Sequence, residues 1–233
     1  MNFDNKLISG LLIKRYKRFF VDVRFKNKIV TAHCPNSGSM MGLLKKDNKV
    51  WFTEAINKKR KLKYTLQIIE DGKSKVGVNT HLTNKIVLDA LEKKLIKDFK
   101  NVTFIKSEQI FGKNTRFDFY LEEMKTRTFL EVKNVTLKRR EHMAEFPDSV
   151  TSRGTKHLRE LINAKKKGFN AYLLFVIQRE DCNKFKIAED IDPEYSKALI
   201  NAINHDVKIL CYDCKFSSKG ILLNNKIKFH TNE

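Results

Sequence analysis

The stretch Arg116 to Lys133, RFDFYLEEMKTRTFLEVK, constrains this chain more than any other. Two runs of alternating apolar and polar residues, Arg116 to Leu121 and Arg127 to Lys133, flank the polar segment Glu122 to Thr126, the pattern of a β-hairpin. Side chains on a strand alternate faces, so Phe117, Phe119 and Leu121 are expected on one side and Asp118 and Tyr120 on the other. On the second arm Leu130 and Val132 take the apolar side and leave Glu131 and Lys133 on the polar one. With Met124 and Lys125 as a two-residue loop, the pairing sum stays constant and Asp118 stands opposite Glu131. Directly opposed side chains lie within about 5 Å. Two carboxylates that close repel unless a cation neutralises them, and hard divalent ions such as Mg²⁺ or Mn²⁺ take oxygen ligands. Lys133 is expected to point at the same spot. A metal that polarises phosphate and a lysine that stabilises charge or orients water are what phosphodiester hydrolysis needs. A solvated face of an edge hairpin would carry the same charges.

The spacing Asp-x12-Glu-x-Lys resembles the PD-(D/E)xK nuclease core, with Phe117 where restriction enzymes often have proline. In that reading Asp118, Glu131 and Lys133 are catalytic, and Asp118, Glu131 and the Val132 carbonyl hold the metal. Asp89 and Glu92 share one face of a preceding helix and would add a carboxylate or be solvated helix charge. His157 and Gln178 follow the hairpin as candidates at the metal or just behind it. Arg153 and Arg116 are candidates for phosphate, Arg116 because it sits two residues before Asp118.

The rest of the chain supplies a context. Short apolar or alternating runs at Leu7 to Ile13, Phe19 to Phe25, Ile29 to Cys34, Val50 to Thr53, Leu62 to Glu70 and Ser74 to Val78 predict five or six strands, hence a small OB-like barrel over residues 1–80. Within it Lys14, Arg15, Tyr16, Lys17, Arg18, Phe19 and Phe20 interleave base and aromatic, which suits phosphate contact with base stacking or a charged turn over a Phe in the core. His33 to Met40, HCPNSGSM, predicts a tight loop whose free amides and Ser37 and Ser39 hydroxyls form a phosphate nest. Residues 81–233 read as helix (Lys85 to Ile96, Asn84 as N-cap), strand (Thr103 to Ile110), the hairpin, a polar functional loop (Asn134 to Arg153), helix (Thr155 to Lys167), and a strand buried on both faces (Ala171 to Ile177). That αβββαβ order is the one to which the nuclease motif belongs. A further helix opens at Asp192-Pro193, and strands follow at Val207 to Tyr212 and Ile221 to Phe229.

Charge points to the partner. Forty-seven Lys and Arg against 27 Asp and Glu leave a net charge of +20, a field that favours nucleic acid, although an AT-rich genome enriches Lys on its own. No apolar run is long enough to span a bilayer and no secretory pattern opens the chain, so a cytoplasmic protein with no membrane partner is expected. Four scattered cysteines suit reduced core thiols better than a disulfide scaffold. Cys211 and Cys214 form a lone C-x-x-C, whose zinc reading lacks a second pair. Oligomeric state leaves no mark in the sequence.

HCPNSGSMMGLL (His33 to Leu44), VGVNT (Val76 to Thr80), RFDF (Arg116 to Phe119), EVKNVTL (Glu131 to Leu137), FPDSVTSRGTKHLREL (Phe146 to Leu161) and LLFVIQR (Leu173 to Arg179) resemble, in order, the sugar fermentation stimulation protein family. The resemblance spans essentially the whole chain. It implies an α/β (α+β) protein with an N-terminal OB-like domain and a C-terminal PD-(D/E)xK-type domain, binding DNA and/or RNA and cleaving it with Mg²⁺ or Mn²⁺. The family's name implies the alternative, a non-catalytic DNA-binding regulator of sugar metabolism genes.

Overall fold

The computed structural model describes residues 1–57, 59–112 and 115–230. Its first part is built from β1 (Ile8–Tyr16), β2 (Phe20–Phe25), β3 (Lys28–His33), β4 (Lys49–Glu54), β5 (Tyr64–Asp71) and β6 (Ser74–Gly77). They run in the order β3-β2-β1-β4-β5-β6, and β5 also pairs with β3 in parallel, which closes an OB-like barrel. The six expected strands are all present within a few residues. Leu12, Val21, Val23, Phe52 and Leu66 fill the interior because alternation sends them inward from each strand.

A short 3-10 turn, Thr80–Leu82, leads into α1 (Thr83–Glu92). Then come β7 (Phe104–Phe111), β8 (Thr115–Glu123), β9 (Thr126–Val135), β10 (Leu137–Arg140), β11 (His142–Phe146), α2 (Ser152–Lys166), β12 (Asn170–Ile177) and β13 (Cys182–Ile187). The chain ends in α3 (Pro193–Asn204), β14 (Lys208–Phe216), β15 (Ile221–Lys226) and β16 (Lys228–His230). One sheet in the order β15-β14-β12-β9-β8-β7 divides this part into two cores. On one face α1 packs Ile86, Val87 and Ala90 with Leu130, Val132 and Leu174, and Ile68 of the barrel joins them. On the other, α2 and α3 pack Leu158, Leu161 and Leu199 with Leu173 and Phe175. Every residue of β12 from Ala171 to Ile177 is buried, as a strand covered on both faces requires.

Two expectations are corrected, and the reduced thiols are found as expected. Asn134 to Arg153 is a loop only over residues 147–151: it first completes β9 and then forms β10 and β11, which join β13 and β16 in a second sheet ordered β10-β11-β13-β16. Its strands were hidden because their charged side chains pair with each other, Arg139 with Glu145 and Asp190, rather than alternating with apolar ones. Ile221 to Phe229 is two strands in two different sheets. Cys211 and Cys214, three apart on β14, face opposite cores as free thiols, a placement in which they do not share one ion. No helix among the described residues is long and apolar enough to cross a membrane.

Candidate active site

The hairpin places the site. Met124 and Lys125 are its loop, and pairing runs from Glu123↔Thr126 to Phe119↔Leu130 at a constant sum. The next pair would be Asp118 and Glu131, and there the strands part. Asp118 takes over where the ladder ends: its Oδ2 accepts the Val132 amide at 2.8 Å, the position a strand carbonyl would otherwise fill. Simple alternation therefore fails at this point. Phe119 and Leu121 face the α1 core as expected, but Phe117 turns to the α2 core, where it packs on Phe111 and Phe129. Asn84, in the first turn of α1, donates to Asp118 Oδ1 at 2.8 Å.

Glu131 is almost wholly buried beneath α2. Lys133 Nζ donates to its Oε1 at 2.6 Å, and His157 Nδ1 meets the same oxygen. His157 Nε2 accepts from Arg153 Nε at 3.4 Å, one turn back on α2. The tautomer that satisfies both neighbours carries its proton on Nδ1, so His157 positions Glu131. Glu131 Oε2 is buried and has no hydrogen-bond partner. Burial, and after it the Glu131 charge, pushes the Asp118 carboxyl up to about 6. Glu131 itself is lowered overall: burial works against it, but Lys133 and His157 outweigh burial.

These features fit a hard divalent cation. A buried oxygen without a partner and a carboxyl lifted by burial and then by its neighbour's charge are what two carboxylates show when too little positive charge stands between them. Asp118 and Glu131 would hold the ion, and the Val132 carbonyl leaves β9 on the same edge as the amide that Asp118 binds. Among the described residues no three His, Cys, Asp or Glu side chains converge on one point, so water would fill the remaining positions, as Mg²⁺ commonly allows.

The other candidates scatter. Asp89 binds the Met1 amino group at 3.0 Å and Lys93 at 2.9 Å, away from the pair, and Glu92 is exposed at the far end of α1. Gln178 is buried and donates to Asn134 at 2.5 Å and Thr83 at 3.1 Å. Arg116 is exposed and pairs with Glu108 at 2.6 Å. On the barrel, Lys14, Lys17 and Arg18 are exposed, while Tyr16 stacks on Phe20 and bonds Asp22. Arg15 is committed inward, donating to the carbonyls of Arg18, Asn36, Gly38 and Ser39. The nest beside it is filled from within: Asp148 accepts the Met40 amide at 3.2 Å and the Ser39 hydroxyl at 3.4 Å, while Ser37 is exposed on its rim. Asn84 is not the N-cap that the sequence leads one to expect: Leu82 takes that position without a side-chain bond, and Asn84, inside the first turn, uses its amide on Asp118.

An OB-like barrel, an architecture used widely to bind nucleic acid, is thus joined to an α/β sheet whose strands part around two carboxylates and a lysine. The chain matches the family model for the SfsA N-terminal OB domain over residues 13–78 and that for the sugar fermentation stimulation protein RE domain over residues 81–220. It belongs to the sugar fermentation stimulation protein family. A homolog from Pelagibacter ubique (strain HTCC1062) is 54% identical over 228 residues, 98% of each chain. One from Brucella ovis is 43% identical over 223 residues, 95% of this chain and 94% of the relative. The solved structure of Pyrococcus furiosus SfsA in complex with Ca²⁺ superimposes with a TM-score of 0.89 at 26% identity, covering 99% of this chain and 98% of that one.

Proposed function

We propose that this protein is a metal-dependent phosphodiester hydrolase acting on DNA and/or RNA, with Mg²⁺ or Mn²⁺ held by Asp118, Glu131 and the Val132 carbonyl. The observation that carries the reading is the buried, unpartnered Glu131 Oε2 beside an Asp118 carboxyl lifted to about 6. The Pyrococcus relative in complex with Ca²⁺, an oxygen-seeking divalent ion, supports it. The bound ion would polarise a phosphate oxygen and lower the pKa of a water. Lys133, anchored on Glu131, has two further N–H groups with which to orient that water or meet charge developing on phosphorus. His157 and Arg153 hold Glu131 from behind, and Asn84 holds Asp118.

The test incubates wild-type and Glu131→Ala protein with end-labelled single- and double-stranded DNA and RNA, in Mg²⁺, Mn²⁺ or EDTA. Cleavage by wild type alone, abolished by EDTA, is the expected result. Binding without cleavage under every condition would transfer the assignment to a DNA-binding regulator.

A further inference from the structure

A cleft of about 520 Å³ opens between the barrel and the start of α1, within the roughly 300–1,000 Å³ of small-molecule sites. Its floor is a chain of buried polar groups. Asn79 Nδ2 donates to Gln67 Oε1 at 2.7 Å, Gln67 Nε2 donates to Thr53 Oγ1 at 2.9 Å, and Asn79 Oδ1 accepts the His81 amide at 3.1 Å. These bonds fix both amides and leave each a second N–H and a second lone pair. Pro35, Ile56 and Leu82 give apolar wall.

The rim mixes both signs and adjoins a basic loop. His33, Arg60, His81 and Lys85 line it with two acids, Asp4 and Glu54, and Asp4 is engaged by Lys85 at 3.7 Å. Arg60 belongs to the loop between β4 and β5, where Lys59, Lys61 and Lys63 are also exposed. The His33 pKa is lowered by burial and then by Arg60 and His81, so these three groups lie close together. An amide floor, apolar walls and a basic loop at the rim match a nucleotide with its base inward and its phosphate outward. Lys85 at the cleft is preceded along α1 by Asn84, which holds Asp118, so one helix contributes to both places.

We infer that this cleft receives one unstacked nucleotide of the strand being cut, its base on Gln67 and Asn79 and its phosphate at His33 and Arg60. The inference rests on the hydrolase reading and adds a substrate class: single-stranded or frayed nucleic acid. A base within a duplex must be unpaired and unstacked to enter, which weakens duplex binding relative to a single strand.

Fluorescence anisotropy in EDTA, with the full chain, tests binding apart from cleavage, using a labelled single strand and a duplex of the same sequence at several salt concentrations. Wild type is expected to bind the single strand about tenfold or more tighter. Arg60→Ala combined with His33→Asn should remove most of that preference and reduce the salt slope by about one. Gln67→Leu, checked for folding by circular dichroism, should weaken the single strand and spare the duplex. Equal weakening of strand and duplex by the rim variant would overturn the inference and leave the hydrolase reading standing. So would a free 5′-mononucleotide that displaces the strand as well as an unlabelled strand does, since the cleft would then serve a soluble nucleotide. Failure of wild type to bind either form would overturn the inference, and the hydrolase reading would then stand or fall on its cleavage assay with Mg²⁺ or Mn²⁺.

Discussion

Two clusters of buried charge lie on either side of β9's end, and they are balanced in opposite ways. At the junction of barrel and sheet, Arg179 is 1% exposed and fully used: it donates to Thr136 O at 2.9 Å, to Asp71 of the barrel at 2.6 Å and to both Asp181 oxygens at 2.9 Å. Lys138 adds a second cation on Asp181, and Arg179 and Lys138 hold that carboxyl well below its usual range. At the hairpin fork the count runs the other way. Two carboxylates share one lysine, one oxygen has no partner, and Asp118 is raised rather than lowered. Buried charges that serve structure find partners, and the unbalanced pair is the feature on which the proposed metal-dependent activity rests.

The comparison breaks first at Lys133. Lys133→Gln should lower turnover by about a thousandfold, roughly 4 kcal/mol of transition-state stabilisation, while oligonucleotide affinity falls far less. Separate kcat and KM values check this, and parallel loss of binding would make Lys133 an electrostatic contact only. Arg179→Met should do the reverse. It strands Asp71 and Asp181 and should cost about 3 kcal/mol in chemical denaturation, while molecules that remain folded keep their turnover. The third test concerns pH. Because Asp118 titrates near 6 in the folded protein against an ordinary 3.8, the native state holds the extra proton between those values. Stability of the metal-free protein therefore falls as pH rises through that window, and the penalty is complete above it. Asp118→Asn removes the penalty. It should stabilise the metal-free protein by on the order of 1–2 kcal/mol at pH 7.5, allowing for partial exposure, and by nothing near pH 4. No gain at pH 7.5 would mean that Asp118 carries no excess charge.

The sequence made the hairpin legible because a two-residue loop dictates register, and that register holds up to Phe119↔Leu130, one step short of Asp118 and Glu131. Alternation then misled at Phe117, since it assumes a ladder that continues, whereas here the strands separate. Asp192, Pro193 and Glu194 announced α3, and Asp192 does accept the Tyr195 amide at 3.0 Å. The β10–β11 strands lack a local apolar signal because Arg139 pairs across them with Glu145 and also with Asp190, 51 positions away. Arg15 looked available for phosphate for the same reason: nothing local shows that four carbonyls await it. Distant polar pairing, unlike apolar periodicity, leaves no repeat to read.

The Asp148 carboxylate seated in the His33 to Met40 loop has a consequence for how the molecule behaves as a whole. A loop shaped to receive an anion is closed by one carried on the opposite part of the chain, and Gly38 is bare there because a Cβ would come within 2.3 Å of that carboxylate. Barrel and sheet thus form a socket and its plug on a single polypeptide. Neither half is a finished module: cut apart, the barrel would present an open anion receptor and the sheet an unsheathed charge, so the two are expected to melt as one cooperative unit.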